Sequence, residues 1–209
     1  MARQPTLFIS HGGGLCFFMD WTPPDKWDRH RVSGHWEEPA FPWSAPGDPA
    51  LADCVHDLIR TARLPAAKDA EGGFNHGFFV PLKVSFPETD IPCIQLSVAS
   101  DLDPARPNAL GRALAPLRDE GVLIIGSGNT YHNIGVMMQS LNGEPRGDIV
   151  GGAFDAWLTE VMTCPDPEDR NRRLVRWSGA PDGRDAHPRE EYLIPIHVVA
   201  GAVGNDIGR

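Results

Sequence analysis

Twenty-two glycines and twenty prolines punctuate this 209-residue chain so densely that its apolar runs stay short. Val122–Ile125 is an example at four residues, against the roughly 20 that a membrane-crossing helix needs. Such punctuation restricts the fold to short strands and helices. Pro5–Ile9 reads as a short buried strand that ends in the turn Ser10–Gly14. Residues 20–48 are rich in Pro, Trp and charge, show no period, and read as loop. From Ala50, the residues Leu51, Val55, Leu58 and Ile59 recur at helical spacing and predict an amphipathic helix of about three turns. Pro92–Val98 alternates enough for a strand. Asn108–Asp119 reads as a helix with Leu110, Leu114 and Leu117 on one face, and Gly121 ends it. Val122–Ile125 then suits a strand covered on both faces. Phe154, Trp157, Leu158 and Val161 mark a further helical face. Leu193–Val199 is apolar, and Pro195 makes it either a sheet edge or a helix start. Strands alternating with helices predict an α/β layered fold, a single domain at this length.

Charge narrows the partners. Nineteen Lys and Arg stand against 28 Asp and Glu, a net charge of −9 that argues against nucleic-acid backbones and anionic membranes. With 41% hydrophobic residues the chain has material for a core. Cys16, Cys54, Cys93 and Cys164 are far apart, with no CxxC spacing to suggest a disulfide scaffold or a thiolate zinc site. The opening residues carry no basic and apolar signal pattern, so a cytoplasmic protein is expected.

The histidines carry the chemistry. His11 follows the first predicted strand and precedes three glycines, and His132 follows the Val122–Ile125 strand through Gly126–Tyr131. In open α/β sheets ligands bind beyond the carboxyl ends of strands, where both residues fall. His35 and His76 are likewise flanked by glycine, which permits close approach to a ligand. Imidazole is both the commonest metal ligand and the usual acid–base group near neutral pH. The other histidines read differently: His30 lies in a charged run, His56 on the helix from Ala50, His197 in an apolar segment fit for the core, and His187 is open. No HExxH pair fixes a metal site by spacing alone. The His11–Gly14 run also suits an esterase oxyanion loop, but no G-x-S-x-G nucleophile elbow accompanies it and Ser127 lacks that pattern. No GK[ST] follows for a phosphate loop either.

Longer blocks go further. Leu7–Gly13, Ser33–Glu38, Ala45–Leu51, Phe74–Leu82, Ile91–Ser97, Leu114–Gly121, Gly126–Asn133 and His187–Leu193 run in order along nearly the whole chain. In them the chain resembles the class III extradiol ring-cleavage dioxygenases, the branch related to DOPA 4,5-dioxygenase and to LigB-type catalytic subunits. The resemblance implies a three-layer α/β/α sandwich around a mixed β-sheet, one catalytic domain over residues 1–209. It implies that His11 and His35 bind the metal, that His132 is the catalytic base (or a further ligand where zinc is bound), and that His76 lines the substrate pocket. The family usually has histidine where this chain has Tyr192, and that histidine completes the metal site. Glu191 or Tyr192 is then the third ligand. The chain is also short of the family pattern at residues 28–45 and at its C-terminus.

The chemistry implied is ring opening of a small aromatic diol by O2 at Fe(II), with zinc possible in the purified protein. His132 takes a proton as the diol binds and can return it later. A monomer or homodimer without nucleic-acid or membrane partners is expected. Two rival readings remain: a metal-binding homologue without activity, motivated by Tyr192, and a zinc-dependent hydrolase in which His132 becomes a ligand.

Overall fold

The computed structural model describes residues 2–10, 45–70, 74–88, 90–97, 99, 103–141 and 151–209. The turn after Ser10 and the loop assigned to residues 20–48 therefore lie, as far as residue 44, outside the described residues. Two strands, β1 (Thr6–Ser10) and β2 (Ile124–Gly128), pair in parallel, Thr6 opposite Ile124 and Ser10 opposite Gly128. Both strands thus end side by side at their carboxyl termini. Among the described residues, the α-helices that lie between and after them are α1 (Pro49–Thr61), α2 (His76–Ser85), α3 (Ala105–Leu114), α4 (Ile134–Leu141), α5 (Gly152–Met162), α6 (Pro167–Val175), α7 (Gly183–Ala186) and α8 (Ile194–Val203).

Local chemistry sets the boundaries. The Asp48 carboxylate accepts the Leu51 amide at 2.9 Å and Pro49 occupies the first turn, so α1 starts at its proline. Val55 and Ile59 are buried as predicted, with Leu51 and Leu58 packed against the same cluster. The helix predicted over 108–119 starts earlier, at Ala105, and changes at Ala115 into a 3-10 segment that runs to Glu120. Pro116 has no amide to donate, which favours the tighter turn, and Gly121 ends it at a left-handed φ of 91°. The amide of Val122 is committed to the Leu117 carbonyl at 3.0 Å, so β2 begins two residues later than the apolar run suggests. Of the strand expected at Pro92–Val98, the described residues 92–97 form none: Cys93 makes one isolated parallel bridge to Gly47, its amide donating to the Pro46 carbonyl at 2.9 Å. Pro92 has no N–H with which to extend it. Between the two readings open for Leu193–Val199, the structure chooses the helix, with Pro195 in its first turn.

Helix α8 packs against the sheet and joins two apolar clusters. Phe154, Leu158, Val161, Leu174, Trp177 and Leu193 form one, to which α8 gives Ile196 and Ala200. Val55, Ile59, Leu114 and Leu117 form the other, with Val198 of α8 against it. Where α8 meets α3, a Cβ on Gly111 would come within 2.0 Å of the Val198 carbonyl oxygen. Two buried arginines bind the end of α8: Arg118 donates to the carbonyls of Gln4, Ala202 and Val203, and Arg170 to those of Ala200, Gly204 and Asp206. Satisfying so many carbonyls with two side chains keeps this helix seated on the strands.

Candidate functional site

Beyond Gly128 the chain leaves β2 and lies along the segment that precedes α8. Three hydrogen bonds join them: Asn129 N–H to the Tyr192 carbonyl at 2.9 Å, His132 N–H to the Ala186 carbonyl at 2.9 Å, and the Asn133 amide to the Asp185 carbonyl at 2.8 Å. Asn133 also accepts the Val136 amide at 3.2 Å and so caps the start of α4. His132 and the pair Glu191–Tyr192 are thereby brought to one place.

The rings of His132 and Tyr192 are stacked, centroids 3.5 Å apart and planes 17° from parallel. Burial pushes the His132 pKa down, with the Glu191 charge acting the other way. The neutral imidazole that results can accept a proton or bind a metal. One carboxylate oxygen of Glu191, Oε2, is buried without a hydrogen bond. It lies 3.3 Å from Nε of Arg189, a mostly exposed side chain that forms only a weak pair.

His76 opens α2, where Asn75 caps the helix by accepting the Phe78 amide at 3.1 Å. Burial lowers its pKa. The Ser127 hydroxyl donates to the Gly77 carbonyl, which ties the start of α2 to the strand that leads into the His132 loop. His11 and His35 lie outside the described residues, although Ser10, one residue before His11, pairs with Gly128. Among the described residues, no three His, Cys, Asp or Glu side chains form a group that could hold a metal. The donor set nevertheless fits a divalent ion: imidazole and carboxylate are the ligands such a site uses, and Glu191 Oε2 is a buried acceptor without a hydrogen bond.

The sequence left His187 open. It is fully buried, edge-on to Phe154 and Trp177 at 5.5 and 6.0 Å between centroids. Burial depresses its pKa more strongly than the facing Thr130 carbonyl raises it, and neither ring nitrogen makes a well-formed hydrogen bond. It directly follows Ala186, whose carbonyl holds the His132 amide. Its aromatic neighbours come from distant segments, and no local signal in the sequence announces them. His197 is a core histidine as read, its ring nitrogens 3.3 and 3.1 Å from the Leu193 and Leu174 carbonyls. His56 stays on the α1 surface beside Asp57.

Comparisons with known proteins identify the family. Residues 34–209 match the family described as the catalytic LigB subunit of aromatic ring-opening dioxygenase. The 4,5-DOPA dioxygenase extradiol of Beta vulgaris is 36% identical, over 97% of this chain and 88% of that protein. The protein of the same name from Portulaca grandiflora is 40% identical over 78% of this chain, which spans 58% of its length. A crystal structure of an uncharacterised Escherichia coli K12 protein superposes with a TM-score of 0.69 at 32% identity, covering 78% of this chain and 66% of that one. The chain belongs to the LigB family of metal-dependent aromatic ring-opening dioxygenases, and its relatives support the extradiol mode of cleavage. The described residues are a mixed α/β fold with a small parallel sheet, and none of their helices is long and apolar enough to cross a membrane.

Proposed function

We propose that this protein opens the ring of a small catechol-type diol with O2, next to the diol, at an Fe(II) site built from His11, His35 and Glu191. The observation that carries the reading is the set of three hydrogen bonds that brings His132, Glu191 and Tyr192 together at the end of β2, inside the span that matches the family. The relatives are named for DOPA, which makes an ortho-diol the first substrate to try. A three-layer α/β/α arrangement over residues 1–209 accommodates the parallel pair and its helices. A cytoplasmic monomer or homodimer fits the acidic composition.

The residues divide the work. A bound divalent ion supplies the charge that acidifies the diol and the redox capacity that opens the ring. The depressed pKa of His132 keeps its imidazole unprotonated near neutral pH, so it takes the diol proton as substrate binds and can return it to the ring-opened product. His76, half-buried and held against β2 through Gly77, orients the substrate from the α2 side. Glu191 offers the buried oxygen that completes the protein's ligands. His187 and the Ala186 carbonyl keep the His132 loop in place.

The test is anaerobic loading with Fe(II), then mixing with O2 and a panel of catechols that includes DOPA. A yellow ring-fission product with matching O2 uptake is expected. Full iron content with no O2 uptake on any catechol would instead support a metal-binding homologue without activity.

A further inference from the structure

We infer that Tyr192 is a positioning residue: its ring fixes the plane of His132 by stacking, and with Glu191 as the ligand from this segment its hydroxyl is dispensable for holding the metal. The inference rests on the role proposed for His132 and names the residue that orients it.

The geometry is the argument. The two rings lie face to face, 3.5 Å between centroids and 17° from parallel. An imidazole nitrogen binds a metal along its lone pair, within the ring plane. Any ion held by His132 therefore lies about a stacking distance from the plane of the phenol, which contains the hydroxyl oxygen. Metal–oxygen bonds span roughly 2.0–2.2 Å, so in the zinc-bound alternative, where His132 is itself a ligand, the phenol oxygen cannot share its ion while the stack stands; where His132 is the base, the phenol ring is committed to that base. A second fact concerns orientation. A working histidine is normally aimed by a hydrogen bond at its other ring nitrogen. Among the described residues, no other side chain hydrogen-bonds the His132 ring; it has a bond to its own backbone and a face-to-face contact with Tyr192.

The stack is also preorganised from both sides. The Tyr192 carbonyl is fixed by Asn129 N–H, and Leu193 after it is fully buried. The His132 backbone is fixed by the Ala186 carbonyl. These ties fix the two backbones and so the Cα positions from which the rings meet. Glu191, one residue earlier and carrying a buried oxygen without a hydrogen bond, is left as the donor from this segment.

The test compares Tyr192→Phe, which keeps the ring and removes the hydroxyl, with Tyr192→Leu, which removes the ring. Three quantities are read: metal content after anaerobic Fe(II) loading, the imidazole proton resonances of His132 in the metal-free protein (assigned by their loss in His132→Gln), and kcat on the best catechol. Tyr192→Phe should keep full metal content, the upfield ring-current position of His132, and kcat within about twofold of the parent. Tyr192→Leu should keep its metal but lose the ring-current displacement, with kcat down by about ten- to a hundredfold and KM little changed. Should Tyr192→Leu fail to fold, Tyr192→Met takes its place. Loss of metal in Tyr192→Phe overturns the inference, since the hydroxyl is then a ligand. An unmoved His132 resonance in the ring-deleted variant overturns it as well. If the parent protein opens no catechol, the proposed function fails, while metal content and resonances still decide the role of Tyr192.

Discussion

Gly128 lies so close beneath Tyr192 that a Cβ on the glycine would approach the Tyr192 carbonyl oxygen to 2.2 Å. The same carbonyl receives the Asn129 amide, so the last residue of β2 and the first beyond it both depend on this approach. Only a residue without a side chain lets the strand end dock against the segment that bears Glu191 and Tyr192.

Gly128→Ala should therefore lower stability by about 1–3 kcal/mol, because the clash is with backbone and not with a movable side-chain tip. It should also reduce ring opening by displacing Tyr192 from His132. Gly179→Ala is the control, since nothing lies within 4 Å of a Cβ there. Urea denaturation of both variants makes the comparison. Equal small effects would show that the 128–192 approach relaxes freely.

His132→Gln should leave the fold and the metal content intact while kcat falls by about 10²–10⁴-fold, the range expected when a positioned base is removed. Glutamine retains hydrogen bonding but cannot accept the proton at neutral pH. The backbone tie to Ala186 is unaffected by the change, which keeps the loop in place. Steady-state kinetics with circular dichroism on the same sample checks this, and a variant with parental kcat would remove His132 from the reaction.

Glu191→Gln should lower metal affinity by roughly tenfold or more, given that even outer-shell partners of a metal site cost about 10–100-fold. The substitution conserves shape and removes the charge. The weak pair with exposed Arg189 contributes little to stability, so the melting temperature of the metal-free protein should hardly move. Metal titration with melting curves separates the two effects. Undiminished affinity would move the third ligand elsewhere.

Much of this arrangement is legible in the sequence where the signal is local. The period of Leu51, Val55, Leu58 and Ile59 marks α1, and Phe154, Leu158 and Val161 mark α5, because a one-sided apolar stripe must be buried. The glycine-flanked His132 is likewise found at the end of a strand. What stays hidden is non-local. Pro81 inside α2 disguises a helix that its Asn75 cap and its packing on β2 sustain. Pro92–Val98 has strand-like alternation, but among the described residues it gains only the Cys93 bridge, since pairing depends on a partner that its own sequence does not specify. The stack of His132 on Tyr192 joins residues 60 positions apart in sequence (192 − 132), and His187 is enclosed by aromatic rings from two other segments. The resemblance directs attention to residue 192 as a lost ligand, and only the ring geometry assigns it another task.

Stability should fall as the solution is acidified below the ordinary histidine range, through the buried His197. Burial lowers its pKa from the usual 6.5 more than the Leu174 and Leu193 carbonyls raise it. The folded protein therefore holds this ring neutral where the unfolded chain has already taken a proton. With more protons bound in the unfolded state, unfolding free energy rises with pH. The His197 contribution is complete above pH 6.5 and is lost as pH drops from there toward the lower folded value, at up to about 1.4 kcal/mol per pH unit. The depressed pKa of buried His187 has the same sign and steepens the fall. His197→Gln should lose stability at pH 8, because the ring contacts between α8 and the Leu174 carbonyl go with it. It should nonetheless show a slope between pH 6.5 and 5 that is shallower by up to about one proton's worth. Urea unfolding at intervals across pH 5–8 gives both curves, and parallel slopes for parent and variant would mean that His197 takes up its proton at the same pH in the folded and unfolded states.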